Sequence, residues 1–345
     1  MDASHGRRVR LGPGGEFDLI RTFGSAARLP EGVLVGPGDD CAVLDAGRLA
    51  LTTDMAVEDV HFRRSWMSAG EVGWRAGAAA LSDLAAVGAE PLAVLVSLAV
   101  SPEDALSGWA GRLMAGLHGV VGEAGAAIVG GDLTRSPGPV IVDVTAIGRV
   151  EAPLLRDGAR PGDEVWVTGS LGGAGGALVL LRAGSPLPEP LRRAFARPVP
   201  RWREARWLRR AAEVHAAIDL SDGLAGDAGH LAAASAVAVE LDPRALPLAP
   251  GLEAAAPSAE ESVRLALHAG EDYELCVVAP PGALEPLAEA FRDRFGVALT
   301  RVGRIREGKG VWALEGEGPP RPLGGGFSHF DAPSVRPPAD PGEGT

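Results

Sequence analysis

The chain has 345 residues, and its 33 Lys and Arg against 45 Asp and Glu give a formal charge of -12 at pH 7. That length suggests two domains, each large enough for its own core. The acidic balance speaks against a nucleic-acid partner and against attachment to an anionic membrane surface, although an acidic protein handles phosphates when metal cations accompany them. Cys41 and Cys276 lie far apart without paired spacing, which argues against a zinc site or a disulfide framework and fits a reducing cytoplasm.

The opening "MDASHGRRVRLGPGGEF" has no apolar stretch of the kind a secretory signal needs, so residues 1–14 read as a loose leader. "GPGDDCAVLD", 36–45, sets Asp39 and Asp40 side by side on a Gly-Pro turn. "RLALTTDMAV" (48–57) reads as a strand. "GEVGWRAGAAALSDLAAVGAE" (70–90) reads as a helix, and "PLAVLVSLAV" (91–100) as a strand apolar on both faces and therefore central. That run is also the longest apolar one and is about half a membrane span, so a soluble protein is expected. "PEDALSGWAGRLMAGLHGVVGEAG" (102–125) predicts one helix, followed by a short strand "AAIV", a turn "GGDLTR" and a long strand "PVIVDVTAIGRV".

A domain boundary is expected between Val150 and Gly162, dividing an N-terminal domain (15–150) from a C-terminal one (151–330). In the second half "EVWVT" predicts a strand and "LGGAGGALVLLRAG" a glycine turn into a helix. "HAAIDLSDGLAGDAGHLAAAS" predicts a strand, a turn and a helix; "LALHAGEDYELCVVAP" a turn into a strand; and "GALEPLAEAFRDRFG" with "LTRVGRI" a last helix and strand. The mixture indicates an α/β or α+β protein. The tail 331–345, "DAPSVRPPADPGEGT", has almost nothing to bury and is expected to be disordered.

A small polar phrase recurs against these apolar strands: Gly-Asp-Asp at 38–40, Thr-Thr-Asp at 52–54, Gly-Gly-Asp at 130–132, Ser-Asp-Gly at 221–223 and Gly-Glu-Asp at 270–272. Glycine lets a backbone approach a ligand closely, and carboxylates at strand ends supply the hard oxygens that Mg²⁺ shares with substrate phosphates. Each phrase alone is a turn; five together suggest a polymetal phosphate site. Asp83 sits in a helix that is Ala, Leu, Val and Gly on nearly every side, so it is expected to bind metal or to pair with Arg75 or Arg63. Ser221 and Asp222 suit a helix N-terminus, whereas Asp219 lies inside a strand where no turn residue is needed. "GSLGGAGGA" reads first as close helix–strand packing and second as a nucleotide contact, since it lacks the P-loop ending and does not match G-x-G-x-x-G. His61 could donate to a phosphoryl oxygen, and Arg156 or Arg135 could supply a cation.

Taken in order, "GEFDLI", "GPGDDCAVL", "TTDMAVEDVHF", "LSDLAAVGAEP", "GGDLTR", "AIDLSDGL", "GEDYEL" and "GGGFSHF" resemble the thiamine-monophosphate kinase family, within the aminoimidazole ribonucleotide synthetase superfamily. The resemblance covers nearly the whole chain. It implies a two-domain fold with an N-terminal β-barrel crossing a homodimer and a C-terminal α+β domain. It also implies ATP-dependent phosphorylation of thiamine monophosphate, with ATP as co-substrate and several Mg²⁺ ions. By resemblance, Asp40, Thr52, Thr53, Asp54, Asp83, Asp132, Asp219 and Asp222 serve the metals. Gly131, Asp132, Arg156 and Ser221 meet ATP, and His61, Glu271 and Phe327 meet thiamine monophosphate, with Phe330 the alternative to Phe327. The alternative function is another ATP-dependent synthase or ligase of the superfamily acting on a purine-pathway intermediate.

Overall fold

The computed structural model describes residues 33–35, 41–45, 47–314 and 318–325; Asp39, Asp40, Phe327 and Phe330 lie outside them. The first half forms β1 (Val33–Val35), β2 (Ala42–Leu44), β3 (Leu49–Val57), α1 (Ala69–Ala86), β4 (Glu90–Val100), α2 (Pro102–Leu106), α3 (Trp109–Glu123), β5 (Ala127–Arg135) and β6 (Ile141–Arg149). The strands make one sheet in the order β1-β2-β3-β6-β4-β5, antiparallel except where β4 runs beside β5. Among the described residues this sheet is open, with β1 and β5 at its edges, rather than a closed barrel.

Helix α1 begins at a capping box, in which Ser68 and Glu71 satisfy each other's backbone N–H groups. Its small residues make it a buried helix. A Cβ at Gly73 would stand 1.8 Å from the Leu113 carbonyl oxygen, and one at Gly116 would stand 1.8 Å from that of Gly70. Glycine is thus what lets α1 and α3 touch backbone to backbone.

Three expectations need correction here. The single helix over 102–125 is two, α2 and α3, because Gly108 turns left-handed (φ 76°) between them. Gly-Gly-Asp at 130–132 is not a turn: β5 runs straight through it, paired residue by residue with β4. And β4 is interior in the hydrogen-bond order, yet its second face is open, with Leu92 and Leu95 exposed.

The second half forms β7 (Glu164–Thr168), α4 (Gly173–Ala183), α5 (Glu189–Ala196), α6 (Trp202–Ala211), β8 (Ala216–Asp219), α7 (Leu224–Ser235), β9 (Ala238–Leu241), α8 (Ala259–His268), β10 (Leu275–Ala279), α9 (Ala288–Phe295), β11 (Leu299–Arg306), β12 (Gly310–Ala313) and β13 (Arg321–Pro322). Their sheet runs β13-β12-β9-β11-β7-β10-β8. Both faces are covered. Val167, Ile218, Val278 and Ile305 pack with Leu224 and Leu231 of α7, while Trp166, Val277 and Leu299 pack with Leu208 of α6 and Phe291 of α9. Ala85 and Ala86 of α1 join the latter cluster, so the two halves share a core.

The glycine turn before α4 is a packing device. Cβ atoms at Gly175 and Gly176 would press on Ala269 and Leu252 at 2.2 and 2.6 Å. The helix N-terminus, where an anion could dock, is already filled by a carboxyl of the chain: Asp272 accepts the Gly172 N–H at 2.8 Å and faces those of Gly173 and Ala174. Desolvation pushes this carboxyl up to about 8, against the pull of the N–H groups.

The protonated form of Asp272 is therefore favoured by folding. Unfolding releases its proton between about pH 4 and pH 8, and stability falls as pH rises through that window, by up to about 1.4 kcal/mol per pH unit. Asp272→Asn keeps an oxygen acceptor for Gly172 without the charge, so its urea midpoint should fall less than wild type between pH 5 and pH 8; equal losses in the two proteins would refute this account.

Candidate active site

One cavity of about 560 Å³ opens where the halves meet. Its acidic end is assembled by α1. Ser82 donates to Asp219 Oδ2 at 2.7 Å, and the next residue, Asp83, accepts from Thr52 Oγ1 at 2.5 Å. One helical turn thereby ties the end of β8 to the middle of β3. Arg75 and Arg63, the cations considered for Asp83, pair instead with Glu271 and Asp59.

Asp54 follows on the same face of β3 as Thr52 and lines the cavity with Ser221, Asp222 and Glu271. Thr53 alternates to the other face, where its hydroxyl donates to Asp143 Oδ1 at 2.8 Å. Asp132 lies on that sheet too, but on edge strand β5, opposite Ser97 of β4, with its side chain bonded to the Leu133 N–H at 2.9 Å. Two strands, β6 and β4, separate it from β3, roughly 14 Å at normal strand spacing. A single copy therefore gathers Thr52, Asp54, Asp83, Asp219, Ser221 and Asp222, and leaves Thr53, Gly131 and Asp132 apart.

Ser221 does not cap α7, whose N-cap is Gly223. The turn is held by Asp227, which accepts the Asp222 N–H at 3.1 Å from one turn into the helix. Burial, then Asp222 and Asp219, push the Asp227 carboxyl well above the ordinary range, while Arg156 acts in the opposite sense. Arg156 thus sits close enough to this carboxylate cluster to be felt by it. Asp227 carried the same signal as Asp83, an acid in an otherwise apolar helix, and was overlooked in favour of the residues preceding the turn.

The loop 268–272 presses directly on this turn. A Cβ at Gly270 would lie 2.1 Å from the Ser221 carbonyl oxygen, which accepts the Glu271 N–H at 2.8 Å. Glu271 and Tyr273 both take positive φ, 71° and 50°, which is uncommon for such residues and is held here by these contacts. Glu271 reaches Arg75, a buried cation that donates to the Phe195 carbonyl at 3.1 Å and lies 4.4 Å from the Phe195 ring centroid. Burial works against the charge on Arg75, but Glu271 and Tyr273 outweigh it and hold the guanidinium firmly protonated.

Phe62, Trp66, Leu178 and Phe195 give the cavity its apolar lining. Trp66 and Phe195 were not foreseen; they come from α5 and the loop before α1, segments without a polar phrase to draw attention. His61 lines the cavity too. Its Nδ1 accepts the Val57 N–H at 3.0 Å, so the neutral ring carries its proton on Nε2, as a donor.

The carboxylates fit Mg²⁺ in kind, because like charges brought together by four elements call for a cation and Mg²⁺ prefers oxygen. Among the described residues no three acidic or imidazole side chains cage an ion by themselves. Mg²⁺ commonly keeps several waters and takes one or two carboxylates plus substrate phosphates.

Comparison with known proteins gives the family. The chain matches "AIR synthase related protein, N-terminal domain" over 38–150 and the corresponding C-terminal domain over 160–313. Thiamine-monophosphate kinase of Rhodopirellula baltica is 37% identical over 84% of this chain and 88% of its own length, and that of Escherichia coli K12 is 32% identical over 92% and 99%. A solved structure described as AaThiL complexed with AMPPCP and TMP superposes with a TM-score of 0.73 at 31% identity, covering 90% of this chain and 96% of that one. On this likeness, which spans both halves, the chain belongs to the thiamine-monophosphate kinase family of AIR-synthase-related proteins.

Proposed function

We propose that this chain transfers the terminal phosphoryl group of ATP to the phosphate of thiamine monophosphate, giving ADP and thiamine diphosphate. The observation that carries the reading is a single cavity lined by aromatic side chains fit for a ring system, by the His61 donor and by the carboxylates of Asp54, Asp222 and Glu271. The related AaThiL structure, which holds AMPPCP and TMP, supports it.

Asp54, Asp83, Asp219 and Asp222, with Thr52, are the residues that would hold Mg²⁺, joined by Asp40, Thr53 and Asp132. Bound there, Mg²⁺ would offset the repulsion between two phosphate groups and stabilise charge spreading in an in-line transfer. The attacking phosphate oxygen is already anionic at neutral pH, so no side chain needs to remove a proton. His61 Nε2–H donates to the acceptor phosphate, and Glu271, fixed by Arg75, orients the substrate. Arg156 and Ser221, with Gly131 and Asp132, serve ATP. Trp66, Phe62 and Phe195 exclude water from the ring end, with Phe327 a further aromatic contact. Transfer is direct, without a phosphoenzyme.

We further propose that the protein works in the cytoplasm as a homodimer, with domains 15–150 and 151–330. Met55, Leu92, Leu95, Val129 and Leu133 are exposed on β3, β4 and β5, more large apolar surface than a lone sheet normally leaves in water. A second copy packed there would close the barrel and bring Gly131 and Asp132, stranded on the edge strand, towards a partner's cleft.

Chromatographic detection of thiamine diphosphate from ATP, Mg²⁺ and thiamine monophosphate tests the chemistry. Wild type should form it, Asp54→Asn should lose more than about 100-fold in kcat, and Thr52→Val, which removes a hydroxyl placed to serve the metals together with the hydrogen bond that orients Asp83, should lose about 10–100-fold. A wild type that binds ATP and Mg²⁺ but makes no thiamine diphosphate would shift the assignment to a purine-pathway ligase. Sedimentation tests the assembly: wild type should run as a dimer, and Leu95→Asp, which buries a charge in the interface, should run as a monomer with its fold retained. A monomeric, fully active wild type would overturn the dimer reading.

A further inference from the structure

We propose that a second anion site, separate from the catalytic cavity, takes a compact oxyanion of the diphosphate class. A pocket of about 430 Å³ lies at the opposite end of β3, and none of its lining is shared with the cavity that contains Asp54. Arg48 stands just before β3, six residues upstream of Asp54 and so roughly 20 Å from it along the strand. Arg149 closes β6 beside it, and α6 contributes Arg206, Arg209 and Arg210 from the other half of the molecule.

Five guanidinium groups thus face two carboxylates, Glu90 and Glu151, an excess of three positive charges in a protein whose formal charge is -12. The internal pairing does not consume them. Arg206 bonds Glu90 at 2.8 Å, whereas Glu151 is 91% exposed and only reaches Arg209 at 4.0 Å. Arg48 and Arg209 spend one N–H each on the backbone carbonyls of Glu151 and Ala152, which fixes the two side chains in place. Arg149 and Arg210 have no ion-pair partner among the described residues, and Arg209 Nε is buried with no acceptor there. Buried donors are normally satisfied, and an arginine fork held by one N–H while the others stay open is the arrangement that receives a phosphate oxygen.

The lining also says what the ligand lacks. Beyond the charged side chains its described lining offers Gly47, Gly88 and Val150, with no aromatic ring among them to stack on a base. The site therefore reads phosphates and not a nucleoside. Because its cations come from both halves of the molecule, an occupant would bridge α6 to the ends of β3 and β6.

Isothermal titration of the full-length chain with inorganic diphosphate in EDTA tests the site, since without metal the acidic cavity repels anions. Wild type and Asp54→Asn should bind alike, while Arg149→Ala/Arg210→Ala should bind at least about tenfold more weakly. Both arginines are exposed, so the double variant should melt like wild type; Arg48→Ala, on a different element, should weaken binding as well. ADP should bind no tighter than diphosphate. Absence of binding to wild type at millimolar diphosphate would overturn the proposal. So would binding that survives in the double variant but is lost in Asp54→Asn, which places the ligand in the catalytic cavity. ADP binding far tighter than diphosphate would replace the oxyanion site by a nucleotide site.

Discussion

Two adjacent side chains on one buried helix, Ser82 and Asp83, set the geometry of the cleft. Neighbours on a helix point about 100° apart, so a helix lodged at a domain junction can address one side with each. Ser82 reaches Asp219 at the end of β8, and Asp83 reaches Thr52 on β3. The surrounding alanines and glycines serve this arrangement, because only small side chains let α1 sit deep enough to touch both sheets while packing against α3. A larger residue at Gly73 or Ala85 would move the helix and open the acidic end of the cavity at the same time.

The same helix explains why acidic groups can crowd together. Burial and mutual repulsion raise the Asp227 carboxyl, and the fold tolerates this because the turn 219–223 is pinned from several directions: by Asp227 at Asp222, by Glu271 at Ser221, and by the near contact of Gly270. Left-handed Glu271 and Tyr273 belong to that clamp. Glu271, one of these strained residues, pairs with Arg75, which stacks on Phe195, so the strained loop is held from the buried side of α1.

Much of this was legible in the sequence. Strand and helix alternation predicted both halves, and Asp54, Asp83, Asp219 and Asp222 stood out as polar residues where apolar patterning had no use for them. The helices 189–196 and 202–211 were not read, although they bring Phe195 and the arginines of α6, because their charged composition resembles a solvated surface. Gly-Gly-Asp at 130–132 was misread for a physical reason: glycine pairs usually mark turns, but here β4 supplies enough backbone partners to hold them extended. The open face of β4 was misread because apolarity on both faces was taken to imply burial on both, whereas the antiparallel part of this sheet leaves one face of β4 uncovered among the described residues.

The glycine turn before α4 draws these points together. A helix N-terminus behind a strand is the usual place for a phosphate, yet this one is filled by Asp272, and its glycines serve contact with Ala269 and Leu252. The fold has thus given this helix N-terminus to the carboxyl of Asp272, in the loop that also carries Glu271. An external phosphate cannot enter there without displacing that loop, and the positions left for phosphates are the acidic cleft, which requires a cation, and surfaces where guanidinium groups outnumber carboxylates.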